Sequence, residues 1–366
     1  MSKPKPAGAA RNKPTTTTRI SQIIKKTRHQ FVYQQNTQQR QMSKWMLVAI
    51  LQSLFWLFGL PIICRKYIWD DIFNSAIIQR NSNTSNSNSN SNSVVNGIAI
   101  ADFLLSFSTP VLFFISYNLI MIPIYIGRYS FFEQYKIQKH LAWPWFDERK
   151  NIRDGFWKLT FKSIKLSSIN LLVLLPILTC LKIVLQKKLS APNANEFLFS
   201  TDDEHWPTPY ENCRDIITLS LIHELGFYFA HKMSHLYPTL YNYHKVHHEY
   251  KTNWTMASQH NHPIDFILSI GGPALLALVI VSKAHSMSQF QFILWTMYSN
   301  LDDHVGYSFP WSPVRWFPFS AMTNEHEFHH SKNLGCFGSK LSIYNTLFGG
   351  YERYNKYQHD QKQKEF

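Results

Sequence analysis

Long apolar runs alternate with polar segments along this chain and determine its predicted architecture. Each run is close to the roughly 20 residues that a helix needs to cross a lipid bilayer. Runs of this length favour helices over strands, because strands are usually much shorter. We therefore predict an all-α fold, a multi-span membrane helix bundle. The runs lie at residues 45–64, 98–126, 166–186, 214–230, 265–283 and about 286–303.

The charge of the polar segments predicts their side of the membrane. Residues 1–44 carry ten Lys or Arg and no acidic residue, and residues 127–165 carry nine basic against four acidic side chains. Because basic segments tend to stay in the cytosol, both segments and both termini are expected there. The fourth run then returns the chain to the cytosolic face. Residues 265–303 form a hairpin with both ends on that face, and either a full crossing or a re-entrant path is compatible with the sequence.

The net charge of +14 predicts a negatively charged partner, either nucleic acid or anionic lipid. Only 16% of the residues are charged, and the chain contains 27 Phe, 18 Tyr and 11 Trp. This composition is typical of a membrane protein. The basic residues lie beside apolar runs, without a recognisable nucleic-acid-binding motif, so anionic lipid is the expected partner and nucleic acid is not. The four cysteines are scattered, which predicts neither a disulfide framework nor a zinc ribbon.

Three histidine clusters carry the candidate chemistry, and all of them follow the fourth apolar run. Their spacings are H-x-x-x-H, H-x-x-H-H and again H-x-x-H-H. Side chains three or four residues apart share one face of a helix. Each cluster is therefore expected to direct its imidazoles to one side. The predicted metal ligands are His231, His235, His244, His247, His248, His326, His329 and His330.

Eight imidazoles exceed the four ligands of a tetrahedral zinc ion, whereas two metal ions of higher coordination number use them all. Imidazole without thiolate suits iron, copper, nickel or zinc. We prefer iron, because a two-metal site beside a lipid bilayer suits oxygen chemistry. The zincin motif H-E-x-x-H is absent, and Glu327 to His330 supplies only one of the two Glu-x-x-His pairs of carboxylate-bridged di-iron bundles. His223 is expected to have a structural or supporting role.

The clusters also resemble those of a known family. HKMSH, HKVHHEY and HEFHH, with NHP, DHVGYSFPWSP and NTLFGG, are similar to motifs of the membrane-bound fatty acid hydroxylase and sterol desaturase superfamily, nearest to its methylsterol monooxygenase branch. The resemblance adds His304, in DHVGY, and as a further candidate His262, in NHP, to the metal ligands. Two features depart from the family pattern. Leu236 follows the first cluster, and Tyr344 and Asn345 replace a Trp-Asp pair.

The resemblance implies an enzyme of the endoplasmic reticulum membrane. Two Fe ions and O2 would oxidise a lipid C–H bond, with electrons from NAD(P)H through cytochrome b5 or its reductase. A 4-methylsterol is the expected substrate, and another fatty-acyl or lipid hydroxylation or desaturation of the same superfamily is the alternative. A zinc-binding membrane hydrolase or a catalytically silent lipid-binding relative is the alternative from another class.

Four carboxylates are predicted to support the metal ligands. The side chains expected to hold ligand N–H groups are Asp302, Asp303, Glu249 and Glu325.

The chain is predicted to consist of four segments. The segments are a disordered basic cytosolic arm (1–44), transmembrane helices with an Asn/Ser-rich insertion at 81–93 (45–209), a fatty acid hydroxylase-like catalytic domain that forms a cytosolic histidine-rich cap (210–352), and a polar cytosolic tail (353–366).

Overall fold

The computed structural model describes residues 91–190, 206–316 and 319–364, and the isolated residues Val48, Leu51 and Gln52. The basic arm, most of the Asn/Ser-rich insertion and, apart from these three residues, the first apolar run lie outside the described residues. The helices are α1 (Ser91–Gly127), α2 (Ser130–Glu133), α3 (Lys150–Ile169), α4 (Leu175–Ser190), α5 (Pro209–Leu236), α6 (Pro238–His244), α7 (Pro263–Asp265), α8 (Gly272–Ile280), α9 (Ser286–Asp303), α10 (Thr323–Lys332), α11 (Ser342–Phe348) and α12 (Glu352–Lys364).

Shorter helical turns connect several of these elements. Two π-helical segments join α3 to α4 and α7 to α8, and they lie at Asn170–Leu174 and Phe266–Gly271. The 3-10 turns are Pro144–Phe146, His247–Glu249, Thr255–Gln259 and Pro313–Arg315. Within the described ranges, pairing between extended segments is limited to two isolated bridges, so the predicted all-α class is confirmed.

Three described stretches are long and apolar enough to cross a membrane. They are Ser106–Gly127, Lys150–Gln186 and Pro263–Ile280. They coincide with three of the predicted runs and confirm a multi-span membrane bundle. The second arm of the predicted hairpin, α9, is helical over the expected residues but is not one of these stretches. Its Gln, Asn and Asp side chains lower its hydropathy.

Two helices are longer than the apolar runs suggested. Helix α3 begins at Lys150, within the polar segment predicted as a loop, because Phe156, Thr160 and Ser163 recur on one buried face. Helix α5 begins at Pro209, where Thr208 and Glu211 form a reciprocal capping box. Such a box satisfies backbone N–H groups that would otherwise have no partner in the first turn.

Five long helices form a closed ring of neighbours. Going around the ring, α1 contacts α4, α4 contacts α8, α8 contacts α5, α5 contacts α9, and α9 returns to α1. Helices α5 and α9 therefore lie side by side. Both lead directly into predicted ligands, since α5 contains His231 and His235 and α9 ends just before His304.

An aromatic core packs the end of α1 against the segments around the second histidine cluster. Tyr125 stacks on Tyr307, with ring centroids 5.8 Å apart, and Trp143 and Trp254 contact the Tyr125 ring edge-on. The Tyr125 hydroxyl donates to the backbone carbonyl of Val305, one residue after His304. Buried aromatic pairs add about 0.5–1.5 kcal/mol each beyond their area. This core therefore fixes the backbone that follows His304.

Candidate metal centre

The first histidine cluster lies in the last turns of α5. His231 and His235 are four residues apart and point to the same side, as the spacing predicts. His231 is buried, whereas His235 is only partly buried. The end of α5 thus delivers two imidazoles to one place.

The second cluster does not share one face, which corrects the prediction. Helix α6 ends at His244, and His247 and His248 lie in a separate 3-10 turn. Successive residues of a 3-10 turn are about 120° apart, so adjacent side chains diverge. As a result His244 and His248 join one group of ligands, and His247 joins another.

The third cluster divides in the same way. On α10, His326 and His330 are four residues apart and point together, whereas His329 lies on a different side of the helix. Two groups result, which we call the five-histidine group and the four-histidine group. The five-histidine group comprises His231, His235, His244, His248 and His329, and the four-histidine group comprises His247, His304, His326 and His330.

The ring nitrogens within each group converge. In both groups all the candidate donor atoms lie within 4.8 Å of one another. Neighbouring Nε2 atoms are 3.0 to 3.1 Å apart in the five-histidine group. They are 3.0 to 3.2 Å apart in the four-histidine group. Unprotonated nitrogens that face one another at this distance repel, unless a cation lies between them.

The spacing of these nitrogens fits a metal of high coordination number. With metal–nitrogen bonds of about 2.1 Å, ligands at right angles are about 3.0 Å apart, and tetrahedral ligands about 3.4 Å. The observed separations match the right-angle value. Imidazole donors in five- or six-coordinate geometry suit iron, copper or nickel better than zinc, which prefers tetrahedral sites. The residues present therefore fit two metal ions, one in each group.

Burial favours the neutral form of eight of the nine histidines, the form that metal binding requires. It lowers the pKa of His231 to about 3 and that of His304 to about 4. For both rings, burial changes the pKa more than neighbouring groups and hydrogen bonds do. Desolvation is also the largest cause that holds the pKa values of His329 and His330 well below the usual range. Neighbouring imidazoles lower the pKa values of His329 and His330 further. A neutral imidazole presents a lone pair to a cation.

Hydrogen bonds made by Nδ1 orient four of the nine rings. His231 donates to the carbonyl of Phe337 at 2.7 Å, and His329 donates to that of Gly335 at 2.6 Å. His304 donates to the carbonyl of Asn300 at 2.7 Å. A proton held on Nδ1 leaves the Nε2 lone pair facing the group. His244 differs from these three, because its Nδ1 lies 3.1 Å from both carboxylate oxygens of Asp265.

Asp265 is a supporting residue that the sequence did not reveal. It lies at the end of the single turn α7, is 2% exposed, and also accepts a hydrogen bond from Ser269. It is the first residue of the predicted apolar run 265–283. A signal was nevertheless present, since an acidic residue in a candidate membrane span is rare unless it is functional.

Replacing Asp265 with alanine is expected to weaken metal binding by about 10- to 100-fold, as loss of a ligand's supporting partner does elsewhere. The His244 ring would lose the contact that sets its tautomer. The rate of metal loss to a chelator measures the effect without requiring turnover. Ser269→Ala, which removes a neighbouring hydrogen bond to the same carboxylate, is the control. Equal rates of metal loss in Asp265→Ala and wild type would contradict the assignment.

The four predicted supporting carboxylates bind elsewhere. Glu249 pairs with Lys162 and accepts from His260, and Glu325 accepts from the hydroxyl of Tyr351. Asp302 and Asp303 both pair with Arg315. Their role is to fix the segments from which the ligands project.

A buried ion cluster lies directly before His304. Arg315 Nε is 2.6 Å from Asp302, and its Nη2 is 2.7 Å from Asp303. Asp303 also accepts from the Ser339 hydroxyl. Burial raises the pKa values of both carboxyls, and Arg315 opposes this effect. The cluster joins the end of α9 to two later segments of the chain.

His223 and Glu224 extend this support to α5. Nδ1 of His223 lies 2.9 Å from the Lys340 ammonium nitrogen, which fits the structural or supporting role predicted for it. Glu224 Oε1 accepts from the backbone N–H groups of Ser339 and Lys340. The segment that follows Phe337 is thereby held against α5, the helix that carries the first cluster.

His262 and Asn345 lie outside both groups. His262 caps the start of α7 by accepting from the backbone N–H of Ile264, and its ring packs on Tyr243 with centroids 4.8 Å apart. Asn345 is buried and accepts from the backbone N–H of Gly338. It therefore braces the segment whose carbonyls hold His231 and His329, where the family pattern has an Asp.

Comparisons with known proteins agree with this site. Residues 216–350 match the sequence model of the fatty acid hydroxylase family. The chain is 29% identical over 159 residues to methylsterol monooxygenase erg25B of Aspergillus fumigatus, covering 43% of this chain and 53% of that one. It is 26% identical over 157 residues to methylsterol monooxygenase 1 of Rattus norvegicus, with the same two shares.

A further relative is C-4 methylsterol oxidase erg25 of Schizosaccharomyces pombe, at 27% identity over 134 residues, 36% of this chain and 44% of that one. The chain thus spans about half the length of the relatives that it matches. No solved structure matches it. The comparisons confirm the resemblance to the fatty acid hydroxylase and sterol desaturase superfamily and to its methylsterol monooxygenase branch.

Proposed function

We propose that this protein is a membrane monooxygenase that oxidises a lipid C–H bond at a pair of metal ions. The observation that carries the proposal is the convergence of nine imidazoles into two adjacent groups at the end of a membrane helix bundle. The rings of the two groups are in contact, since the centroids of His248 and His330 are 4.7 Å apart. Two metal ions held there would be neighbours.

We propose iron as the metal in both groups. All the donors are imidazoles, and their right-angle spacing is compatible with five- or six-coordinate iron. When bound, such a pair supplies the reduction of O2 that oxidation of an unactivated C–H bond requires. The chain's own contribution is to position neutral imidazoles and to exclude water. Eight of the nine histidines are buried, which serves that purpose.

The proposed substrate is a 4-methylsterol. Support comes from the names of the relatives, which are methylsterol monooxygenases and a C-4 methylsterol oxidase. The exposed apolar residues of the candidate spans also support this substrate, because a sterol would enter from membrane lipid. Hydroxylation of another lipid remains the competing assignment within the same family.

We further propose that electrons come from NAD(P)H through cytochrome b5 or its reductase. A cleft of about 650 Å³ reaches His235, the one partly buried histidine of the nine. Lys232 and Arg353 line it, together with one acidic residue, Glu352. An open, partly basic approach to one of the two groups suits a soluble electron-carrying domain with an acidic surface.

The proposed location is the endoplasmic reticulum membrane, with both termini in the cytosol. The basic segments at 1–44 and 127–165 support this orientation. The family match at residues 216–350 supports a catalytic unit close to the predicted boundaries of 210–352. The remaining parts of the proposed organisation are the disordered basic arm (1–44), the transmembrane segment (45–209) and the polar tail (353–366).

Sterol analysis of cells that lack the protein tests the proposed function. We expect a sterol that retains a 4-methyl group to accumulate, and the wild-type gene to restore the normal profile. The Asp265→Ala gene should restore it less well at equal protein level. An unchanged sterol profile, with an altered set of hydroxylated fatty acids, would overturn the sterol assignment.

A further inference from the structure

A second, mostly apolar cavity lies between α5, α9 and the segment after Arg315. Its volume is about 280 Å³, which is close to the lower end of roughly 300–1,000 Å³ for ligand sites. Its walls are chiefly apolar, and they include Ile216, Leu221, Trp295, Val314 and Leu341. Another cavity, near α4 and α8, measures only about 100 Å³, too small for a lipid without rearrangement.

One end of this cavity opens on the outer surface of the helix bundle. Ile217, Leu221 and Phe319 line it and are 57%, 41% and 42% exposed. Large exposed apolar side chains on a membrane protein face lipid at little cost. Phe319 has a φ of 61°, a conformation that is unusual for a bulky residue and that recurs at functional sites. The opening is therefore suited to entry of an apolar molecule from the bilayer.

The inner end carries a buried hydroxyl group. Ser299 lines the cavity, is 2% exposed, and its Oγ has no hydrogen-bond partner among the described residues. A buried polar group without a partner is unfavourable, so a bound molecule that supplies one is favoured. Ser299 precedes His304 on α9 by five residues, which corresponds to about 7.5 Å along a helix axis. The hydroxyl thus lies on the helix that leads into the four-histidine group.

The charge at this end favours a neutral ligand group. Lys340 also lines the cavity, and its ammonium nitrogen is 2.9 Å from His223 and 3.9 Å from Glu224. Glu224 therefore offsets its positive charge. Because Lys340 already has Glu224 as its partner, an uncharged alcohol needs no further counter-charge at this place.

We propose that this cavity binds the substrate as a lipid alcohol, with its apolar body between α5 and α9 and its hydroxyl bonded to Ser299. The identification of the bound lipid as substrate rests on the proposed function. Binding itself does not depend on turnover. A rigid ring system with one hydroxyl at its end meets both requirements of the cavity, an apolar body and one group that bonds to Ser299.

Direct binding to the full-length, metal-loaded protein in lipid nanodiscs tests the proposal. The probes are a radiolabelled 4-methylated 3β-hydroxysterol, the same sterol without its 3-oxygen, and a long-chain fatty acid. Ser299→Ala should weaken binding of the hydroxysterol about 3- to 10-fold, the range expected for one hydrogen bond. It should leave the weaker binding of the deoxy sterol unchanged. Ile216→Trp, which fills the cavity, should reduce binding of both sterols.

Ser288→Ala is the matched control. Ser288 is a buried serine on the same helix, bonded to Asn212 and outside the cavity lining. It should not change sterol binding. Hydroxysterol binding that is equal in Ser299→Ala and wild type, or a fatty acid that binds more tightly than the hydroxysterol, would overturn the proposal. Sterol binding without oxidation would instead overturn only the proposed function.

Discussion

Replacing His304 with alanine is expected to lower the metal content from two ions per chain to one. His304 belongs to the four-histidine group, and its Nε2 lies 3.0 to 3.2 Å from those of three other histidines. Loss of one of only four donors leaves that group short of ligands. Oxidation should fall by about 10³-fold or more, since a catalytic metal ion supplies several kcal/mol of transition-state stabilisation.

His262→Asn is the matched control for this prediction. His262 is another histidine near the site, but it lies outside both groups, and asparagine preserves an acceptor for the helix start. The control should retain two metal ions and most of the activity. Elemental analysis of both purified variants provides the measurement. Loss of metal in His262→Asn, with both ions retained in His304→Ala, would reverse the ligand assignment.

Replacing Arg315 with leucine is expected to destabilise the protein by about 3–5 kcal/mol, because it leaves two buried carboxylates without their partner. The side chains of Arg315, Asp302 and Asp303 are 6%, 1% and 1% exposed. The melting temperature in detergent should fall on the order of 10 °C. Metal should also be retained less well, because Asp303 directly precedes His304.

Arg149→Leu is the comparison for the Arg315 variant. Arg149 also pairs with an aspartate, Asp147, but its side chain is 69% exposed. Exposed pairs contribute little to stability. The melting temperature of Arg149→Leu should therefore stay close to that of the wild type. Similar melting temperatures for the two variants would show that the buried cluster does not support the fold in the way described.

The convergence of histidines four residues apart was predictable from sequence because helical spacing acts locally. His231 and His235 share a face whenever their segment is helical, and the same holds for His326 and His330. The division of the second cluster between two groups was not predictable in this way. It depends on the end of α6 at His244 and on the turn that follows, which tertiary packing determines.

The supporting residues were less accessible to sequence analysis. Asp265 contacts a histidine 21 residues earlier in the chain, and Arg315 contacts carboxylates 12 and 13 residues away. Neither spacing follows a helical or strand period. Asp302 and Asp303 were recognised as important but were assigned to ligand rings, because a carboxylate next to a histidine suggests a direct bond. Their partner is instead a basic residue in a later segment.

The helix ends were also decided by interactions between distant segments. Residues 150–165 are polar enough to be interpreted as a loop, yet they form a helix whose buried face meets later segments of the chain. Ser163 on that face bonds to His260 and Tyr250. The apolar part of the same helix was evident from hydropathy. Sequence patterns thus identified the membrane-embedded portions better than the portions that contact the histidine-bearing segments.

Metal content together with oxygen uptake tests the central claim most directly. The purified full-length protein is to be analysed for iron and zinc, and its O2 consumption measured with NADH, a cytochrome b5 reductase and cytochrome b5. We predict two iron ions per chain and O2 uptake that requires NADH and increases when a 4-methylsterol is added. Two zinc ions per chain, without NADH-dependent O2 consumption, would contradict the proposed monooxygenase and favour a hydrolase or a catalytically silent lipid-binding protein.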